Sequence, residues 1–519
     1  MALVSEIVES SFLQRVTLLQ WASIIAGLYM ANMLLYPFVL SPVRHIPGPW
    51  YARISKLPLQ YETYMRRRSQ YATRLIKKYG PIVVIAPDQV HTTDDAAMKI
   101  IYDQTSLKTS FYSSMGSWKG VTSTLGFIDY HGAAPTRNNL ILCFQNKNLA
   151  TLVENIDSHV MDFIRLIESK AKINEPVDGV VIFRLLALDI VTDILWGEET
   201  RLLKNVSDET PDLLRRFHAF STWNALKSFI PGADLMVRLF GTSKWRQLRN
   251  DCNDMDVTAR EALNRWENNK DTHREMDVLS MLQAMNDAED PAKRVPNDHI
   301  PAYIVEMLAA GSSTTSHTAA FACWLLSRNE SVQERLQEEL FEAFPDADGM
   351  DFKKTMDLPF LDAVIKETMR LYPMIPGPLE RFLGKEVKVD GKVVPRGVVA
   401  STAAYNQGRL EEVYPDSEAW DPARWLNAND RMKLNWTPFG YGSRACPGSN
   451  LAMTELKYMI GAIFRRFCVR VLKGHESDTL ELSDVFAAGT KSGHVWLEFE
   501  ESRNVLTGVE EHLVTRHDF

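Results

Sequence analysis

Cys446 stands in a run whose neighbours bear on its sulfur: Phe439-Gly440-Tyr441-Gly442-Ser443-Arg444-Ala445-Cys446-Pro447-Gly448. Glycines at 440, 442 and 448 open backbone conformations that other residues resist, so such a loop can lie flat against a planar ligand. Pro447 removes an N–H beside the sulfur. Arg444 places a fixed positive charge two residues away, which favours thiolate over thiol and can pair with a carboxylate. A helix is expected to begin at Ser449 or Asn450, and its N-terminal dipole faces the sulfur and lowers its proton affinity. The chemistry on offer is thiolate ligation of a metal; taken alone, the run also fits a structural cysteine in a glycine-rich turn.

Two further groups carry polar chemistry inside apolar surroundings. Glu367-Thr368-Met369-Arg370 places a carboxylate and a guanidinium three residues apart on one helix face, where they can meet. By itself that spacing describes a common and weak surface ion pair. Ala310-Gly311-Ser312-Ser313-Thr314-Thr315 sets a glycine and a row of hydroxyls within a long Ala-rich segment. By itself it describes a glycine-containing turn of a packed helix.

Together these runs resemble, in order and spacing, the cytochrome P-450 family. Phe439, Gly442, Arg444, Cys446 and Gly448 match each fixed position of its haem-binding signature, F-x-x-G-x-R-x-C-x-G. Glu367 and Arg370 match its E-x-x-R motif. Trp420-Asp421-Pro422-Ala423-Arg424-Trp425 resembles its aromatic-x-P-x-R segment, and Arg424 would complete an ion network with Glu367 and Arg370 behind the haem. The Ala310–Thr315 run resembles the oxygen-binding helix motif A-G-x-D/E-T-T. The resemblance implies that Gly311 leaves room for oxygen and that the Thr314 hydroxyl guides protons to it. Ser313 departs from the pattern, which usually has a carboxylate there; serine itself, or His317 one turn on, would have to serve instead. For the haem propionates the resemblance points to Arg137, aligned by Phe144, although Ala133 stands where an aromatic or His is usual and His131 is displaced by two. Arg381, after the Pro373–Pro378 turn, is a second propionate partner.

The implied cofactor is haem b with Cys446 as axial thiolate ligand, a ligation that promotes O–O cleavage. The implied activity is monooxygenation of a lipophilic substrate by O2. Alternatives within reach of the same residues are an O2-independent rearrangement or dehydration and a haem-binding membrane protein without turnover. No flavin domain and no G-x-G-x-x-G fingerprint occur, so electrons are expected from an NADPH–haemoprotein reductase. The resemblance places pocket walls at Ser110–Phe127, Met307–Thr315, Met374–Leu379 and Val485–Gly489. Phe111, Tyr112, Trp118, Met307, Ile375 and Phe486 make these walls apolar and aromatic. The style resembles fungal microsomal members that tailor secondary metabolites, with a polyketide-derived aromatic as the first expected substrate and a terpenoid or indole alkaloid as the second.

Hydrophobic periodicity supplies the elements that must position these groups. Residues 301–328 form one long apolar helix. Residues 359–372 form another, capped by Asp357 and stopped by Pro373. Residues 449–467 place Leu456, Met459, Ile460, Ile463 and Phe467 on one helix face. Ile82–Ile85 reads as a strand, Val387–Val399 as a hairpin about Asp390-Gly391, and Val495–Phe499 as a strand. The fold class is mainly α with minor β, a cytochrome P-450-like haem fold.

Ahead of it lies an anchor. From Val16 to Val43 there is no charged residue, and Val16–Leu40 as a helix would span roughly 37 Å, enough for a hydrocarbon core of about 30 Å. Glu6, Glu9 and Arg15 precede it; Arg44, Arg53 and Lys56 follow, which places the bulk of the chain in the cytosol. The start is acidic, unlike that of a cleaved signal peptide. Residues 1–43 are thus read as a single-pass endoplasmic reticulum anchor and 44–519 as one catalytic domain. The sequence His45-Ile46-Pro47-Gly48-Pro49-Trp50 forms a stiff joint between them.

Composition agrees. The chain has 519 residues, is 45% hydrophobic and carries a net charge of −8, so no basic excess suggests a nucleic-acid partner. The 5 cysteines show no CxxC spacing, which excludes zinc and iron–sulfur sites and suits a reducing compartment.

Overall fold

The computed structural model describes residues 18–118, 121–197, 200–204, 212–229, 232–269, 277–286, 297–345, 350–484 and 486–502. Glu6, Glu9 and Arg15 lie outside them. The first helix, α1, runs Leu18–Val39. Its Gln20–Val39 stretch has mean hydropathy 1.5 and is long and apolar enough to cross a membrane. Where it ends, the Tyr36 and Ser41 hydroxyls both donate to the Asp88 carboxylate, at 2.9 and 2.7 Å, so the helix exit is fixed to the body of the protein. The Pro47–Pro49 joint then lies flush on a strand. Val84 N–H donates to the Pro47 carbonyl at 2.8 Å, and a Cβ on Gly48 would come within 2.9 Å of Val84.

Helices dominate the remainder. Those that build the site are α2 (Tyr130–Cys143), α3 (Asn146–Lys172), α4 (Gly179–Trp196), α5 (Ser243–Asn268), α6 (Ile300–Ser327), α7 (Pro359–Leu371) and α8 (Ser449–Arg466). The centre is α6, which packs against α4, α5, α7 and α8. Pro301 sits in its first turn, where a missing N–H is harmless. Ala302, Ala319, Ala320 and Ala322 are all buried, and their small side chains let neighbouring helices approach. Gly311 shows how tight that packing is: a Cβ there would lie 2.8 Å from Val191 Cγ2 of α4.

Helix α7 starts at Pro359, as expected, but Asp357 is not its cap. The free N–H groups of Phe360 and Leu361 donate to the Glu339 carboxylate of the helix Glu330–Ala343 at 2.7 and 2.8 Å, whereas Asp357 closes the intervening short helix Phe352–Met356. A cap twenty residues away has no local signature. In α8, Leu456, Met459, Ile460 and Ile463 are buried on the core side; Phe467 is buried too, but begins the strand Phe467–Val471.

The main sheet has five strands in the order Ile82–Ala86, Gln89–Thr92, Val399–Ser401, Arg381–Phe382, Leu107–Lys108. Val387–Val389 pairs with Lys392–Val394 around Asp390 and Gly391, both at positive φ, 49° and 75°. This is the turn pattern that Asp-Gly favours in tight hairpins. The hairpin is shorter than expected, because Val399 leaves it to join the larger sheet. The expected strand at Val495–Phe499 is Trp496–Glu501, paired with Phe467–Val471 and Val177–Asp178.

Candidate functional site

The cysteine loop is shaped by two of its three glycines. Gly440 and Gly442 have φ of 73° and 67°, a region costly for other residues. A Cβ on Gly442 would also strike the Tyr102 carbonyl at 2.5 Å. Gly448 differs from expectation: its φ is −90°, ordinary for any residue, and no heavy atom lies within 4 Å of its Cβ position. Neither its backbone nor its surroundings therefore require glycine. The loop closes where Cys446 N–H donates to the Phe439 carbonyl at 2.8 Å.

Cys446 carries accessible surface although protein surrounds it, so that surface faces an interior space. Burial pushes the thiol up; the Gly448 N–H at the start of α8 and the Arg137 charge pull it down. Arg444, expected to favour the thiolate, turns away. Its guanidinium donates to the Ile128 carbonyl at 3.3 Å and lies 5.5 Å from the Tyr130 ring centre. Arg137 of α2 is the cation that acts on the sulfur, and its Nη2 donates to the Ala445 carbonyl at 2.5 Å.

Arg137, Arg381 and Arg444 nevertheless converge. Burial, Arg381 and Arg137 together push the Arg444 guanidinium down to about 10. Arg381 is buried between the Tyr102 and Tyr112 rings, at 5.2 and 5.0 Å, and its Nε has no hydrogen-bond partner. Sheet register adds a fourth cation: Lys108 is the cross-strand partner of Arg381. Like charges directly opposite are unfavourable, and burial with Arg381, Arg444 and Arg137 brings Lys108 down to about 7. Four cations crowded around an unpartnered guanidinium N–H suit a ligand with two carboxylates, as haem has. Ala133 is buried without a polar role, and Tyr130, in the first turn of α2, is the aromatic beside Arg444 and Arg137. Sequence reasoning missed Lys108, whose significance lies only in strand pairing.

Behind the loop, Glu367 and Arg370 come together fully inside the protein, and the partly buried Arg424 joins them. Arg370 Nε and Nη2 grip both Glu367 oxygens at 2.8 Å, and Arg424 Nε adds a third bond at 3.0 Å. Trp425 Nε1 and Asp421 N complete the carboxylate's partners at 2.9 Å each. Arg370 spends its other N–H groups on the carbonyls of Gly408, Ser417 and Ala419. One carboxylate is thus shared by two guanidinium groups, whose remaining donors go to main-chain carbonyls, the dense hydrogen bonding that a buried ion cluster requires.

On α6, Ala310 and Thr314 carry accessible surface in mid-helix, among residues that are mostly buried. Thr314 Oγ1 donates to the Ala310 carbonyl at 2.7 Å, which leaves its oxygen lone pairs free. Gly311 turns its missing side chain toward Val191, so helix packing calls for glycine there. The Ser313 carbonyl accepts from His317 Nδ1 at 2.7 Å, and Arg184 Nη2 lies 3.4 Å from His317 Nε2. Burial and the Arg184 charge bring His317 down to about 4, so it is neutral near pH 7 and a poor acid. The buried Glu455 carboxyl of α8, beside Thr315, is pushed up to about 8 by burial.

Among the expected pocket walls, Phe111, Tyr112 and Phe486 meet, with ring centres 5.4 to 6.2 Å apart. Phe486 adopts φ 109°, a strained conformation for an aromatic residue. Tyr112 is buried beneath Arg381 and Lys108, so it supports the cation cluster rather than lining a pocket. Val485 and the Trp118 side chain lie outside the described residues.

A family model described as Cytochrome P450 matches residues 47–495. Among curated proteins, the chain is 26% identical to the cytochrome P450 monooxygenase FGM1 of Gibberella zeae, over 84% of this chain and 88% of that one. It is 26% identical to the cytochrome P450 monooxygenase hkm5 of Aspergillus hancockii, over 92% and 94%. To the cytochrome P450 monooxygenase stcB of Emericella nidulans it is 27% identical, over 86% and 87%.

Proposed function

The chain belongs to the cytochrome P450 family and is a monooxygenase, and from that premise we propose that it oxidises a lipophilic fungal secondary metabolite at a haem held by Cys446. A polyketide-derived aromatic is the favoured substrate class, a terpenoid or indole alkaloid the second. The observation that carries the haem assignment is the gathering of Arg137, Arg381 and Arg444 beside the cysteine loop, with Arg381 Nε unpartnered. In this reading Cys446 would hold the haem iron, and the three arginines would take the propionates. Phe439, Gly442 and Gly448 shape the face against which the ring lies.

When bound, haem would supply the activation of O2 and the insertion of one of its oxygen atoms into a C–H bond, the other leaving as water with two electrons from the reductase and two protons. The chain's own residues do the rest. Thr314 holds a proton at Oγ1 against the Ala310 carbonyl and offers its lone pairs to the open stretch of α6. His317 bonds the Ser313 main-chain carbonyl through Nδ1, and burial beside Arg184 favours its neutral form. The Glu367–Arg370–Arg424 cluster keeps the cysteine loop in register.

Residues 1–43 serve as a single-pass anchor in the endoplasmic reticulum membrane, with 44–519 as the haem domain on its cytosolic face. The apolar α1 and its clasp to Asp88 support this arrangement. An NADPH–haemoprotein reductase supplies the electrons. Cells with and without the chain, supplied with such a reductase, provide the test. A product heavier by one oxygen, about 16 Da, that requires O2 and NADPH supports the reading; turnover without O2 consumption would replace it with rearrangement or dehydration.

A further inference from the structure

We propose that Glu306 and Lys108 latch the segment 121–127 against α6 and so position the wall on the substrate side of the site. The inference rests on the haem-site reading above. Glu306 lies one turn before Ala310 and two before Thr314, so the three share a helix face. Its carboxylate leaves the helix altogether and accepts three bonds from the loop: Thr124 N at 3.0 Å, Thr124 Oγ1 at 2.7 Å and Leu125 N at 2.7 Å. From the opposite side, Lys108 Nζ donates to the Leu125 carbonyl at 2.7 Å. Leu125 is thus gripped through both its N–H and its C=O by opposite charges that also attract each other.

Further contacts tie the described part of this segment together around the latch. Ser117–Trp118 pairs with Val121–Thr122, and Ser123 N–H donates to the Gly116 carbonyl at 2.8 Å. Gly116 and Gly126 touch backbone to backbone: a Cβ on Gly116 would lie 2.3 Å from Gly126 N. With three donors on its two oxygens, the Glu306 carboxylate is occupied as an acceptor. It is a positioning residue rather than a proton donor, and it holds the loop over the open stretch of α6 at Ala310 and Thr314.

Haem-loaded wild type, Glu306→Ala, Glu306→Gln and Lys108→Met are compared by amide hydrogen exchange and by spectral titration with imidazole and 4-phenylimidazole. Glu306→Ala and Lys108→Met raise exchange across 121–127 by at least about tenfold and leave α8 unchanged. Glu306→Ala shifts 4-phenylimidazole affinity by about fivefold or more while imidazole, too short to reach the wall, changes by less than about twofold. Glu306→Gln, which keeps one acceptor, falls between. Wild-type exchange in both Glu306→Ala and Lys108→Met overturns the latch. If Glu306→Ala does not fold, Lys108→Met decides alone. Loss of the thiolate spectrum in wild type would instead overturn the haem reading, while exchange would still report on the latch.

Discussion

The indole N–H of Trp425 donates to the Glu367 carboxylate at 2.9 Å, and this bond links the buried ion cluster to the cysteine loop. From Trp425 the rings continue to Trp436 and on to Phe439, with centres 6.0 and 5.8 Å apart. Phe439 then accepts the Cys446 N–H. Trp425→Phe should therefore cost about 1–3 kcal/mol, the effect of leaving a buried charged acceptor short of a donor. Glu367→Gln should cost more, about 3–5 kcal/mol, because two buried guanidinium groups lose their counter-charge. Urea unfolding measures both; a Trp425→Phe protein as stable as wild type would show that the link carries no weight.

Cys446→Ala should abolish the CO-bound band near 450 nm that marks thiolate-ligated haem. Cys252→Ala should keep it, because Cys252 is buried against Ala219 and Trp223, in a cluster apart from the cysteine loop. Equal loss in both variants would show that the ligand is misassigned.

Arg381→Met keeps the bulk that packs between Tyr102 and Tyr112 but removes the unpartnered Nε–H. Haem should dissociate about tenfold faster, as expected when one charge-assisted bond to a carboxylate is lost. Transfer of haem to apomyoglobin measures the rate; an unchanged rate would remove Arg381 from the propionate site.

Glu455 predicts a pH dependence of stability. Its ordinary value of 4.5 is raised to about 8 in the folded protein. Between those values the folded state holds a proton that the unfolded chain has released, so this group lowers stability as pH rises through the window. Glu455→Gln stays neutral and escapes the loss, on the order of 4 kcal/mol at most by pH 8. Its advantage over wild type in urea should grow from pH 5 to pH 8, and a pH-independent difference would contradict the assignment.

Thr314→Val should lower product formed per NADPH consumed by about tenfold or more, within the range that positioned proton donors contribute. His317→Gln should change that ratio by less than about twofold, since His317 is already neutral. A larger effect at His317 than at Thr314 would reverse their roles.

The sequence by itself determined the class of chemistry. The spacing about Cys446, the Glu367–Arg370 pair and the apolar runs at 301–328 and 449–467 are local patterns, and local patterns survive as motifs and helix faces. It also located the apolar segment that became α1. What it could not convey depended on atoms brought together from distant positions. Lys108 meets Arg381 only through strand pairing, and α7 is capped by Glu339 rather than Asp357. Gly311 lies against Val191, whereas Gly448 faces open space at an ordinary φ. Arg444 turns to Ile128 and leaves Cys446 to Arg137. Spacing along the chain selects residue types, but the direction of a side chain and the dielectric around it are set by neighbours that only the folded chain supplies.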